Sequence, residues 1–131
     1  MILTLKIKIT GWWCQLEIDD SSTFEDLHYA IQDAVEFDDD HLYEFYMASS
    51  ERSRNRVTVS SYEDADSVTL DSVIPIQSDK KLFYLFDYGD NWVFHILPSR
   101  KDPHPPVKSS RYPQLLSEGG EKPEQYPEWE E

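Results

Sequence analysis

Six side chains in this sequence are of the types that bind metals, move protons or wall a pocket, and they sit in two short stretches. His41 and Glu44 lie in HLYEFYM, residues 41–47, while Asp87, Asp90, Trp92 and His95 lie in FYLFDYGDNWVFHI, residues 83–96. Imidazole and carboxylate are donors that zinc, manganese and iron accept, and such an ion activates water for hydrolysis. If the fold brings His41 to Asp87 and Asp90, Trp92 walls a pocket and the carboxylates favour protonated imidazole. The spacing itself names no reaction. An H-x-x-E pair on one strand points to opposite faces, because its separation is odd. The ordinary reading is that Asp90 caps a turn, Asp87 accepts backbone or imidazole hydrogen bonds, Trp92 is core, and His95 is a satisfied core histidine. No catalytic residue is assigned and no cofactor is predicted; a divalent metal at His41, Asp87 and Asp90 is the alternative.

The elements that must position these residues are legible from hydropathy. Leu82, Tyr84 and Phe86 alternate with Phe83 and Leu85, and Trp92, Phe94 and Ile96 alternate with Val93, His95 and Leu97, which predicts a hairpin of two strands apolar on both faces. Gly89-Asp90 between them reads as a two-residue type II′ turn. Leu3, Leu5, Ile7 and Ile9, then Cys14, Leu16 and Ile18, alternate with polar residues on either side of Gly11, a second hairpin. Trp12 and Trp13 shield its end or anchor a partner.

Thr23 with Asp26 makes a capping box, and Phe24, Leu27, Ile31, Ala34 and Val35 form one apolar stripe, so a helix runs over 24–36. The run Asp38-Asp39-Asp40 crowds the negative end of its dipole, as a solvated loop or as a place for a cation. Residues 41–47 and 56–60 read as strands, separated by a polar loop over 48–55; Arg52, Arg54 and Arg56 share a face if extended, as a place for a phosphate or an acidic peptide or as an ordinary solvated loop. Thr69 caps a short helical turn that Pro75 stops.

From Pro98 onward the composition changes. Seven of the eight prolines lie there, and residues 117–131 carry six Glu against one Lys. The chain therefore divides into a core, residues 1–97, and a proline-rich arm and acidic tail, residues 98–131, of the same domain. No regular core element is expected in the second part, and the tail from about residue 117 is expected to be mobile and dispensable for folding.

Composition narrows the function classes. A chain of 131 residues, 39 % hydrophobic, supports one sizeable core. Twenty-six acids against twelve bases leave a net charge of −14, which disfavours duplex nucleic acid and anionic membrane and favours a basic partner. A single cysteine, Cys14, permits no internal disulfide, which suits the cytoplasm. No run reaches transmembrane length, and MILTLKIKIT lacks the features of a signal peptide.

The segments STFEDLHYAIQDAVEFDDDHLYEF, VTLDSVI, LFYLFDYGDNWVFHI and RYPQLLSEGGEKPE, in that order, resemble the plasmid pRiA4b Orf-three-like family. Its members carry a His-Leu-His-x-Phe segment and a Tyr-Asp-Phe-Gly-Asp-x-Trp hairpin; here Tyr43 stands where the second His is usual. The resemblance implies an α+β domain, a β-grasp-like mixed sheet of about five strands packed on one main helix, with a Pro/Glu-rich C-terminal tail. It also implies an association with plasmids and insertion elements, some members having a resolvase-like name, although an acidic chain without a serine-recombinase segment does not support recombinase chemistry. Two functions compete. One is a non-catalytic protein-interaction module whose acidic surface or exposed strand edge meets a basic or extended protein or peptide partner. The other is a metal-binding or metal-assisted hydrolytic protein, and the residues favour the first.

Overall fold

The structure, a computed structural model, describes residues 1–126. Alternation in the first segment produces β1 (Ile2–Ile9) and β2 (Trp12–Asp19), paired in antiparallel register from Ile2–Asp19 to Ile9–Trp12. Gly11 turns the chain between them with φ 86°, a conformation that disfavours a Cβ. The helix α1 (Phe24–Val35) follows. Its capping box is complete: the Thr23 hydroxyl accepts from the Asp26 N–H at 3.1 Å, and the Asp26 carboxylate accepts from the Thr23 N–H at 3.0 Å. Then come β3 (Tyr43–Ala48), β4 (Val57–Ser61), a 3₁₀ turn (Leu70–Ser72), β5 (Lys81–Phe86), β6 (Trp92–Pro98) and β7 (Gln114–Gly120).

All seven strands join one sheet in the order β4-β3-β5-β6-β1-β2-β7, and every neighbouring pair is antiparallel. This corrects the expected α+β, β-grasp-like architecture. A mixed sheet needs a parallel pair, but β6 runs antiparallel to both β5 and β1. Strand also dominates, since the one α-helix among the described residues has 12 residues. The stripe of α1 enters the core as expected. Leu27 and Ile31 are fully buried, in one cluster with Leu5, Ile7, Leu16 and Ile18 of the first hairpin and Phe45, Tyr84 and Phe94 of the central strands. Burying one such aliphatic side chain contributes about 1.5–3 kcal/mol. The other face of the sheet carries a smaller cluster of Tyr46, Ala48, Phe83 and Leu85.

Two local expectations change. The β5–β6 pairing ends at Phe86–Trp92, so the connection is a five-residue loop, residues 87–91, rather than a two-residue turn at Gly89-Asp90. The positive φ values fall on Asp87 (65°) and Asn91 (54°), not on Gly89; Asp and Asn tolerate that region because their short polar side chains bond locally. The second change is β7. Beyond Pro98, where no regular element is expected, Gln114–Gly120 pairs with β2. The arm leading to it is tied down at His104, whose Nε2 lies 3.0 Å from a Glu17 carboxylate oxygen, while the Gln114 amide donates to the other Glu17 oxygen at 2.6 Å. Gly119 and Gly120 are what allow β7 to seat. A Cβ on Gly119 would stand 2.6 Å from the Trp13 indole, and one on Gly120 would stand 2.1 Å from the Gly11 carbonyl oxygen.

Candidate functional site

The acidic loop between α1 and β3 is the meeting point of the helix, the central hairpin and the C-terminal segment. α1 ends at Glu36, whose φ of 61° turns the chain, and Asp39 takes φ 45°. These turns aim Asp39 back at the helix. Its carboxylate lies 2.7 Å from His28 Nε2, and its N–H donates to the Gln32 side-chain oxygen at 3.0 Å. His28 and Gln32 are one helical turn apart, so both reach Tyr84 on β5: Gln32 Nε2 donates to the Tyr84 hydroxyl at 3.0 Å, and that hydroxyl meets His28 Nδ1 at 2.5 Å.

The chain of bonds sets the tautomer. The Tyr84 oxygen accepts from Gln32 and donates its one proton to Nδ1, which leaves Nε2–H to donate to Asp39. His28 is 2 % exposed and its ring stacks on Tyr43 with centroids 3.7 Å apart. Burial holds its imidazole below the usual value, against the opposing pull of Asp39. Burial likewise pushes the Tyr84 phenol well up. The network is neutral at His28, satisfied and closed to solvent at the imidazole.

On the outer side of the loop lie residues 121–126, which form neither helix nor strand. Gln125 is 8 % exposed; its oxygen accepts from the Asp38 N–H at 2.6 Å, and its amide donates to Asp40 at 2.9 Å. The Tyr126 hydroxyl bridges the second Asp40 oxygen (2.6 Å) and His41 Nε2 (2.7 Å). The bonded Asp40 carboxylate pushes the Tyr126 phenol up to about 12, and in return the Tyr126 bond holds Asp40 below its ordinary range. Lys122 lies 3.4 Å from Glu36 and 3.7 Å from Glu118. Of the acids that crowd the helix end, Glu36, Asp39 and Asp40 are thus directed at particular donors.

The six residues singled out by type separate in space. His41 and Asp87 come together, Nε2 to Oδ2 at 3.4 Å, with Asp40 Oδ1 3.6 Å from the same nitrogen. Asp87 is 7 % exposed and is the residue that organises the loop, accepting from the Gly89 N–H at 3.0 Å and the Asp90 N–H at 3.3 Å. Asp90 is exposed. Trp92 is half-buried edge-on to Phe37, centroids 5.1 Å apart, and its buried indole N–H finds no partner among the described residues. Glu44 accepts from the Thr58 hydroxyl at 3.0 Å. His95 lies on the opposite sheet face, its ring 5.0 Å from Phe83. Among the described residues no group of three or more His, Cys, Asp or Glu stands where it would hold a metal ion. The residues that reasoning by type missed are His28, Gln32, Tyr84, Gln125 and Tyr126. One signal for the first two was available, because a His and a Gln four apart inside an apolar helical stripe require buried partners.

Among the described residues the sheet, its single α-helix and the loop between them define a sheet-dominated antiparallel domain in which buried His28, Gln32 and Tyr84 bond to the exposed Asp39, with a C-terminal segment laid against the loop. The chain belongs to the plasmid pRiA4b ORF-3-like protein family, whose model matches residues 2–126. Its fold is similar to the crystal structure of a protein of unknown function, MM3350 from Methanosarcina mazei Go1, with a TM-score of 0.71 and 24 % identity over 89 % of this chain and 68 % of that one. No curated protein matches the sequence. Among the described residues no helix is long and apolar enough to cross a membrane.

Proposed function

We propose that this domain is a non-catalytic protein-interaction module that holds an extended peptide segment against the acidic loop Asp38–His41, with residues 121–126 of its own chain acting as the model occupant. The observation that carries the reading is Gln125, an amide from a segment without helix or strand, buried and bonded at both ends to the loop. A buried amide satisfied at both ends is how a groove reads a peptide side chain, since any residue lacking those groups leaves the loop's donor and acceptor unpaired. The occupant also presents a cation to Glu36 and a phenol to Asp40 and His41. A partner of the same chemistry carries a Lys or Arg, then an amide and an aromatic hydroxyl a few residues on. The net charge of −14 favours a basic one.

The test is a chain ending at Gly120, which keeps β7, titrated with a peptide of residues 120–126. Docking in cis proceeds at an effective concentration on the order of millimolar, so binding in trans is expected at or below that Kd, with amide shifts at Asp38 to His41. A Gln125→Ala peptide should bind at least tenfold more weakly. A folded, truncated domain indifferent to both peptides sinks the proposal.

A divalent metal at His41 and Asp87 is the second reading, supported by their 3.4 Å separation. A rise in melting temperature with zinc or manganese, lost in Asp87→Asn, would favour it.

A further inference from the structure

The opposite end of the sheet, where β5 begins and β6 ends, holds an open groove of about 760 Å³ that the acidic loop does not touch. The half-buried Leu3, Ile76 and Leu97 supply aliphatic surface to it, over the buried Leu82, Ile96 and Ile74. The lining also includes Lys80, Lys81, Arg100 and Lys101. Four of the chain's twelve Lys and Arg residues therefore line one groove in a protein with twenty-six acids. The one carboxylate in the lining, Asp20, already accepts from the N-terminal amine at 3.2 Å. Among the described residues none of the four cations lies within 4 Å of a carboxylate.

We infer that this groove binds an amphipathic carboxylate of the fatty-acid type, its hydrocarbon chain on the aliphatic surface and its carboxylate among Lys80, Lys81, Arg100 and Lys101. The volume suits a small organic ligand, and an apolar lining with a few charged groups is the usual composition of such a site. Charge complementarity chooses the head group: a cationic amphiphile meets four positive charges, and a neutral one leaves them unanswered. His95, also in the lining, has its imidazole held below its usual value first by burial and then by Lys81, a groove cation, and Lys8. A polar anion alone uses the cations but not the aliphatic surface, so inorganic phosphate is the natural control.

The test is calorimetric titration of the full chain with decanoate, decan-1-ol, decyltrimethylammonium and inorganic phosphate. Decanoate is expected to bind at least tenfold more tightly than each of the other three. The double variant Lys81→Gln/Arg100→Gln, altering two exposed side chains, is expected to melt like the parent and to lose decanoate affinity at least tenfold while its response to decan-1-ol is unchanged. Equal affinity for decanol or phosphate, preference for the cation, an unaltered double variant, or no binding of decanoate would each overturn the assignment. A truncation after Gly120 should bind decanoate normally, so the result stands apart from that for the acidic loop.

Discussion

Replacing Tyr84 by Phe removes one oxygen from the hydrogen-bonded cluster of His28, Gln32 and Tyr84, all three buried, and changes little else. Tyr84 has no exposed surface, and its ring packs against Phe45 with centroids 4.8 Å apart, a contact that Phe preserves. The cost therefore comes from the partners left behind. His28 Nδ1 loses its donor and the Gln32 amide loses its acceptor, in a space opened by one atom, too small to admit a water. An orphaned buried polar group costs about 1–3 kcal/mol, so two orphans cost about 2–4 kcal/mol after partial relaxation. For a domain of this length that lowers the melting temperature by on the order of 10 °C. Urea melts of parent and variant, fitted with a common m-value, measure it directly. A loss under about 1 kcal/mol would mean that the two groups find other partners and that the network does not hold the helix to β5.

Truncation after Leu116 removes four residues of β7 with Gln125 and should lower the melting temperature, whereas a chain ending at Gly120 should lose less; identical melting of both and the parent would show that β7 adds nothing. Gly120→Ala places a Cβ against the Gly11 carbonyl at φ 81°, and should destabilise by about 1–3 kcal/mol, read by thermal melting. Leu27→Asp or Ile31→Asp buries an unpaired charge in the main cluster and should abolish the cooperative transition; native-like melting of either would mean the stripe is misread. Acidification provides the fourth test. Burial keeps His28 neutral in the folded state, so as pH falls below about 6.5 the unfolded chain takes up the proton first and stability is lost. His104 runs the other way, because its Glu17 bond raises its pKa and its contribution is full below about 6.5 and lost as pH rises through the folded value. Comparing parent with His28→Gln between pH 7 and 5.5 isolates the first effect, and a variant that loses stability as steeply as the parent refutes it.

What the sequence displayed and what it concealed follow from the range of the forces involved. The first hairpin and the helix are local: alternation from Leu3 to Ile18 and the Thr23–Asp26 box each specify their element within a few residues. Strand order is not local. Nothing in the alternation of β6 says that its second neighbour is β1 running antiparallel, and the mixed-sheet expectation fails at that point. At 87–91 the sequence offers Gly89 as the natural source of positive φ, whereas Asp87 and Asn91 take it and Asp87 secures the loop with its own carboxylate. β7 hid for a different reason. The prolines and glutamates beyond Pro98 argue against a regular element there, yet a strand forms, and the missing Cβ atoms of Gly119 and Gly120 are the condition for its lying under Trp13 and against Gly11.

The candidate site shows the same division, and the sheet edges narrow where a partner can bind. Residue type alone found His41 and Asp87, but not Gln125 and Tyr126, which reach His41 and its loop from more than eighty positions away. An exposed strand edge was the other surface open to an extended partner. Each of the two edges carries a bulge: Val59 is the extra residue on β4, between Ser60 opposite Phe45 and Thr58 opposite Tyr46, and Leu116 is the extra residue on β7, between Ser117 opposite Gln15 and Leu115 opposite Leu16. A bulge breaks the even ladder of donors and acceptors that an added strand needs, and increases the local twist. Both edges are thereby blunted against strand addition. The acidic loop needs no ladder, because it holds Gln125 and Tyr126 of its own chain through their side chains, and on the proposed reading this favours the loop over either edge.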